Sequence, residues 1–326
     1  MTYNVLVTEP VSMTGITLLK EHGFHIVMGT GYDEDTLIRE ARHADAVLTR
    51  NGHFTERVLS SCPNLRVISM HGVGVDCIDV RAAELLGIQV TNAADSNSTA
   101  VSEFTIGLLL DLAKKIPQYQ EELKNGNWAS RISYSGMDVE GKTLGILGMG
   151  RIGTSVARKA SYGLGMKVLG FKRGISCDIA ADYGTLTPDL DRVLSQADFL
   201  SIHLPLNSGT HHLMDRKRLG QMKEGAFLLN LGRGEVVDES ALIDLLRSGR
   251  LAGAALDVLE GDVPDQDNPL LHMEQVIVTP HIAGLSRQAL ERMSYQAALG
   301  IVETLEGREP TFPVNRPGAW KGISVA

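Results

Sequence analysis

Short apolar runs recur along the chain, each closed by a polar residue, Gly or Pro, with helix-period segments between them. In the first third the runs are Val5–Thr8, His25–Met28, Ala46–Thr49, Val67–Met70 and Ile88–Thr91. Amphipathic stretches at Thr14–His22, Asp35–Arg42 and Arg81–Leu86 separate them. The middle repeats the pattern with Thr143–Leu147, Lys167–Phe171, Phe199–Leu204, Ala226–Asn230, Gly253–Val258 and Gln275–Thr279. Strand, helix and strand at this spacing build βαβ units, and hence a parallel sheet. The runs are continuously apolar rather than alternating, as strands covered on both faces require. The chain is therefore expected to be α/β, with two doubly wound parallel sheets in tandem. Its 326 residues suit about two domains at ~150 residues each. Abundant glycine (34 residues) and 5% aromatic content fit tight strand-to-helix turns better than an aromatic-rich sandwich.

Two longer helical patterns organise the rest. Ala100–Leu123 is entered through the polar cluster Asp95–Thr99, which offers N-cap residues, and Pro117 should kink or break it. Leu285–Leu305 follows the last apolar run. A late helix of this kind is expected to return to the first domain, leaving that domain discontinuous in sequence.

Composition excludes several classes of partner. A net charge of −8, from 31 Lys plus Arg against 39 Asp plus Glu, disfavours nucleic acid and anionic membranes. Cys62, Cys77 and Cys177 supply neither a disulfide framework nor metal-ligand spacing, so reduced thiols and no metal are expected. The N-terminus starts as a strand, without a basic stretch leading into an apolar run. The longest apolar stretch, Phe104–Leu110, is cut by Asp111, far short of the ~20 residues a membrane helix needs. A cytoplasmic protein is expected.

The sharpest local signal is G-x-G-x-x-G at Gly148, Gly150 and Gly153. At this glycine content the spacing alone arises by chance in roughly a third of chains of this length. Context makes it specific, because an apolar run precedes it and a helical pattern, Thr154–Tyr162, follows. Such glycines permit a tight turn, close approach of a pyrophosphate, and close helix–strand packing. A dinucleotide cofactor is expected here. NAD-binding fingerprints place an acidic residue about 20 positions on, to accept from the ribose hydroxyls. In this chain Lys172 stands there, followed by Arg173. Two cations cannot accept from hydroxyls but can hydrogen-bond a 2′-phosphate. The expectation is NADP(H) in preference to NAD(H), against a solvated basic loop with relaxed choice.

With these residues assembled, the chain resembles the D-isomer-specific 2-hydroxyacid dehydrogenases over roughly residues 3 to 315. The resemblance rests on His71–Asp76, Val101–Glu103, Gly141–Thr143 with the fingerprint, His203–Pro205, Asn230–Gly234, Gly253–Asp257 and Thr279–Gly284. The branch looks like phosphoglycerate dehydrogenases and hydroxypyruvate or glyoxylate reductases, without the C-terminal regulatory domain some of them carry. It implies a flavodoxin-like substrate domain from residues 1–99 plus 288–326, a Rossmann cofactor domain at 100–287, and a homodimer built through the cofactor domain. It also implies cofactor contacts from Arg151, Ile152, His203, Pro205 and Thr210 beside the glycines, with Asp257 buried near the nicotinamide.

Reducing a 2-oxo acid needs a cation for the carboxylate and carbonyl, a proton donor and a hydride source. Arg233, between Gly232 and Gly234, follows the strand Phe227–Asn230 at the end where open α/β sheets bind ligands. Its planar fork can hold a carboxylate while polarising the carbonyl. His281 follows Gln275–Thr279 and Pro280 at another such end, and a histidine exchanges protons near neutral pH. Both match the family's catalytic positions. The family's third member, an acid that keeps the histidine protonated, falls on Asp262, one methylene shorter than the usual Glu. Glu260 and a weakened pair remain as alternatives. His211, His212 and His272 read as ordinary surface residues.

Substrate contacts are expected from the loop His71–Gly74, with Val73 and Gly74 offering backbone N–H groups, and from Asn97 and Ser98. Met70 stands where some phosphoglycerate-specific relatives have Arg, and Met cannot pair with a phosphate. The leading expectation is an NADPH-dependent reductase of small 2-oxo acids such as glyoxylate or hydroxypyruvate, giving the D-hydroxy acid. NAD-dependent phosphoglycerate oxidation is the enzymatic alternative. A non-catalytic dinucleotide-sensing corepressor is the alternative of another class.

Overall fold

In a computed structural model, residues 2–132, 135–261 and 265–318 are described. They divide into two compact units, Met1–Asn97 with Leu285–Ala326, and Ser98–Gly284.

In the first unit, Asn4–Val7 (β1), His25–Met28 (β2), Ala46–Thr49 (β3), Val67–Met70 (β4) and Gln89–Thr91 (β5) form a parallel sheet. Its order is β2-β1-β3-β4-β5. The strands β3 and β4 are buried along their whole length, whereas β2, at the edge, is largely exposed. Ser12, Asp33, Thr55 and Asp79 cap the intervening helices, each side chain accepting a first-turn N–H. Caps of this type contribute ~1 kcal/mol each. The helix Arg287–Leu305 belongs to this unit, packing on the helix Met13–Glu21 and on β3, β4 and β5. Its Ala297, Ala298, Ile301, Val302 and Leu305 join Val5, Val7 and Leu48 in one buried cluster.

The second unit carries Thr143–Leu147 (β6), Lys167–Phe171 (β7), Ile179–Ala181 (β8), Gly184–Thr187 (β9), Phe199–Ile202 (β10), Ala226–Asn230 (β11), Leu251–Leu256 (β12) and Val276–Val278 (β13). They form one sheet in the order β13-β12-β11-β10-β6-β7-β9-β8, parallel except for the β8–β9 pair. The chain winds outward in both directions from β6. The switch point between β6 and β10 is where doubly wound sheets take their ligands. Phe199 of β10 and Phe227 of β11 stack with centroids 4.9 Å apart inside the core.

One expectation needs correction and another is met. The β8–β9 hairpin lies outside the expected strands, because its two short strands mix exposed, half-buried and buried residues and lack the apolar run of a covered strand. The pattern Ala100–Leu123 is two helices, Ser98–Lys114 and Ile116–Lys124, separated at Lys115 with φ 54°. The pattern thus breaks, as expected, just before Pro117, which lies in the first turn of the second helix where its missing N–H leaves no bond unmade. No described helix is long and apolar enough to cross a membrane.

Candidate active site

Three neighbouring strands, β11, β12 and β13, end side by side and carry the candidate reactive residues of the second unit. Main-chain bonds continue the ladder past the strands: Asp257 N–H donates to the Asn230 carbonyl (3.0 Å) and Thr279 N–H to that of Leu256 (2.9 Å). His281 N–H then donates to the Asp257 carbonyl at 2.9 Å. His281 has φ 52°, a left-handed conformation uncommon among non-glycine residues.

Asp257 holds this conformation in place. It is 2% exposed, and both carboxylate oxygens are engaged with the turn that bears His281. Oδ1 accepts from the Thr279 hydroxyl (2.6 Å) and Ile282 N–H (2.9 Å), and Oδ2 from Ala283 N–H (2.9 Å). Charged acceptors make roughly the strongest bonds in a fold, so these three fix the backbone on both sides of His281. The imidazole itself is exposed.

Arg233 is held by Asn230, the polar residue that ends the otherwise apolar strand β11. The Asn230 amide donates to the Arg233 carbonyl at 2.9 Å and its oxygen accepts from Gly232 N–H at 3.1 Å. Asn230 is 1% exposed, and sequence reasoning passed over it. The signal was available, since a buried amide at a strand end must find partners. On either side of Arg233, glycine is required by close approach. A Cβ on Gly232 would lie 2.7 Å from the Leu204 carbonyl oxygen, and one on Gly234 only 1.9 Å from that of Leu259. The half-buried guanidinium bonds the Gly232 carbonyl at 2.9 Å.

Glu260, the alternative partner of His281, accepts a hydrogen bond from His212 Nε2 at 2.7 Å. Asp262, the first choice, lies outside the described residues. His212 is not the plain surface residue the sequence suggested: it is half-buried and has φ 46°.

The fingerprint occupies the turn from β6 into the helix Arg151–Arg158. Gly148 has φ 99°, and a Cβ there would meet the His203 carbonyl oxygen at 2.4 Å. On Gly153 a Cβ would meet the Gly148 oxygen at 2.1 Å. Gly150 differs. It is the N-cap of the helix, makes no side-chain cap, and nothing lies within 4 Å of where its Cβ would point. A tight turn, close helix packing and an open helix N-terminus fit a pyrophosphate. Arg151 and Ile152 form the first turn.

His203 follows β10 on the other side of the switch point. Its Nε2 bonds the Ser201 hydroxyl at 2.9 Å, its Nδ1 is buried without a hydrogen-bond partner, and burial pushes its pKa down to about 4. Thr210 is buried, and its hydroxyl donates to the Pro205 carbonyl (2.6 Å) while accepting from Asn207 N–H (2.9 Å), closing the loop after β10. Lys172 and Arg173, at the end of β7, are both exposed. A methyl group on Gly209 of the β10 loop would lie 3.8 Å from Arg173 Nη1.

The remaining expected residues lie in the first unit. His71 ends the run after β4, is 4% exposed, and its ring nitrogens make no hydrogen bond of good geometry, although the Leu290 backbone lies close enough to favour its charged form slightly. Burial, and then the Arg50 charge, lower its pKa to about 4. Its loop is tied down by Ala93 N–H to the Gly72 carbonyl (2.8 Å) and by the Asn92 amide to the Val73 carbonyl (2.7 Å). Gly74 follows in the same loop, and the Asn97 side-chain oxygen is buried and unbonded.

Residues 106–283 match the family model for "D-isomer specific 2-hydroxyacid dehydrogenase, NAD binding domain". The chain belongs to the D-isomer specific 2-hydroxyacid dehydrogenases. It is 38% identical over 315 residues to D-3-phosphoglycerate dehydrogenase of Methanocaldococcus jannaschii, covering 96% of this chain and 59% of that one. It is 35% identical to glyoxylate reductase of Thermofilum pendens, covering 96% of this chain and 94% of the relative. Among solved structures, it superposes with TM-score 0.86 and 26% identity on an NADPH-dependent glyoxylate/hydroxypyruvate reductase from Sinorhizobium meliloti in complex with NADP and malonate. That match covers 99% of this chain and all of the other. The chain thus spans about three-fifths of the phosphoglycerate dehydrogenase it resembles, and nearly all of the two reductases.

Proposed function

We propose that this member of the family is an NADPH-preferring reductase of small 2-oxo acids, of the glyoxylate or hydroxypyruvate type, forming the D-2-hydroxy acid. The observation that carries the reading is the placement of Arg233 and His281 beyond β11 and β13, the two parallel strands that flank β12, each on a backbone that buried polar groups hold in place. Arg233 binds the substrate carboxylate and polarises the carbonyl through its fork. His281 protonates the carbonyl oxygen, and Asp257 orients it by fixing the turn on which it stands. Asp262, at the position the family resemblance assigns, keeps the imidazole cationic, and the bond of Glu260 to His212 favours it over Glu260. When bound, the nicotinamide cofactor supplies the hydride that reduces the carbonyl carbon. Gly148, Gly150, Gly153, Arg151 and Ile152 would hold its pyrophosphate, with His203, Pro205, Thr210 and Asp257 lining the rest of its site. In the first unit, His71, Val73, Gly74 and Asn97 contact the substrate. The support is three buried polar atoms of His71 and Asn97 that make no hydrogen bond of good geometry within the protein.

The NADPH preference rests on Lys172 and Arg173, two exposed cations where an NAD site would place an acid. Two partly screened charged hydrogen bonds would favour NADPH by roughly 10²-fold. The similarity to the NADPH-dependent reductase supports this. The 38% identity to a phosphoglycerate dehydrogenase favours a second reading, NAD-dependent phosphoglycerate oxidation. Against it stands Met70, a 5% exposed apolar side chain in the core of the first unit that offers a phosphate nothing. We further propose a homodimer formed through the second unit. Its helix Ile116–Lys124 buries no residue, and Ile116, Leu123, Trp128 and Ile132 expose apolar side chains on one short segment.

The test is kcat/KM with NADPH and NADH on glyoxylate, hydroxypyruvate and pyruvate, and in the reverse direction on 3-phosphoglycerate. NADPH with a 2-oxo acid should be preferred, less so at high salt, and Lys172→Asp should reverse the cofactor choice. His281→Ala should lower reduction by roughly 10²–10⁴-fold with little change in NADPH affinity. Equal use of NADH by the parent enzyme would refute the cofactor assignment, and near-normal turnover without His281 would refute the mechanism.

A further inference from the structure

His212 closes a ring of contacts around the turn that carries Arg233. Its backbone N–H donates to the Glu235 carbonyl at 2.7 Å, two residues beyond Arg233. Its Nε2 bonds Glu260 Oε1 at 2.7 Å. Glu260 in turn adjoins Leu259, whose carbonyl abuts the Gly234 backbone so closely that a Cβ there would lie 1.9 Å away. Turn, loop and histidine therefore brace one another: 212 to 235, 234 to 259, 260 back to 212. Glu239 stiffens the same loop from the other side. Its Oε2 accepts Glu260 N–H (3.1 Å), its own N–H reaches Glu260 Oε1 (3.4 Å), and its Oε1 accepts from the Asn268 amide (2.6 Å).

Backbone strain marks the position. His212 and His281 are two of the three described non-glycine residues with positive φ, and His281 is the proposed proton donor. A left-handed histidine persists only where its surroundings over-determine it. Here the over-determining contacts are the two hydrogen bonds above and the stacked ring of His211, at 4.2 Å between centroids. If the residue served only to make a turn, glycine would do so without strain and without the side-chain grip.

We propose that His212 is a positioning residue for Arg233, acting through its side-chain bond to Glu260 to clamp the turn 234–236 against the loop 258–261. The inference rests on the reading that Arg233 binds the substrate carboxylate. Displacing a group that orients a reacting substrate by a fraction of an ångström weakens catalysis more than it weakens binding of a cofactor held chiefly at its pyrophosphate. His212→Ala should therefore lower kcat about tenfold and raise the 2-oxo acid KM a few-fold, leaving the NADPH KM unchanged. His212→Gln, whose amide can still donate to Glu260, should recover most of the loss. Glu260→Ala should reproduce the alanine phenotype, and the double variant should be no worse than either single one. His212→Gly separates folding from positioning: it relieves the strain, so the thermal midpoint should hold or rise while kcat/KM falls. Activity within twofold of the parent in both the Ala and Gly variants would overturn the proposal, as would additive effects of His212 and Glu260. Arg233→Ala distinguishes the two levels of argument. Should it retain turnover, the carboxylate-binding reading itself fails; should it lose turnover while the His212 variants do not, only the clamp fails.

Discussion

A buried carboxylate and two buried imidazoles carry most of the chemical information at the level of single residues. Asp257 is removed from water but accepts three hydrogen bonds, which offset its desolvation and make it a bracket for the His281 turn. His71 and His203 are also removed from water, but their bonding is incomplete, and burial holds each near a pKa of about 4 instead of the ordinary 6.5. In the unfolded chain each would take a proton near 6.5. Between that value and about 4 the unfolded state therefore binds more protons than the folded one. Stability should fall as pH drops through this window and be flat above it, by at most ~3 kcal/mol per histidine. Urea midpoints measured from pH 4 to 8 test this. A variant carrying His71→Asn and His203→Asn should lose less stability on acidification than the parent, and parallel curves would contradict the assignment.

Elements define how much freedom each residue retains, and the fingerprint turn shows it most clearly. Gly153 and Gly148 are glycines because neighbouring backbone fills the space of a side chain, whereas Gly150 faces open space at a helix N-terminus. The two kinds should respond differently to one methyl group. Gly153→Ala must push the helix Arg151–Arg158 off β6 and should lower the thermal midpoint by several degrees, since overpacking costs ~1–3 kcal/mol. Gly150→Ala should leave the midpoint of the ligand-free protein within about a degree, because its φ of −84° suits alanine. Its NADPH affinity should nevertheless fall by ~10-fold or more if a pyrophosphate packs on that backbone. Calorimetric scans and cofactor titration of both variants separate these outcomes. Equal loss of affinity and stability in both would mean that Gly150 has a packing role instead.

At the scale of the whole molecule, each unit completes its own core, yet the segment 116–132 of the second unit does not bury its apolar residues. Trp128 is 66% exposed and Ile132 84%. Exposed side chains of this size on one segment are the basis for the proposed dimer surface. Replacing both with Asp should convert a dimer into a monomer, read by sedimentation equilibrium at micromolar concentration. A parent protein that is already monomeric there would remove the assignment.

The α/β class, the parallel strands of both sheets and the dinucleotide fingerprint were legible in the sequence, because each follows from local periodicity or from residues adjacent along the chain. Most strand limits, such as Ala46–Thr49 and Thr143–Leu147, could be read from runs that are apolar throughout. The hairpin Ile179–Thr187 could not, because a short edge pair with only partial burial leaves no such run. Arg233 and His281 could be nominated from residue type and strand end. What holds them could not: Asn230 reaches three residues along the chain, but Asp257 grips a turn more than twenty residues away, and His212 bonds a carboxylate 48 residues distant. Local sequence encodes which strands form and which side chains stand at their ends. Only the tertiary structure decides which buried polar groups meet, because those bonds depend on sheet order and strand register, and neither is written in any one stretch of the chain.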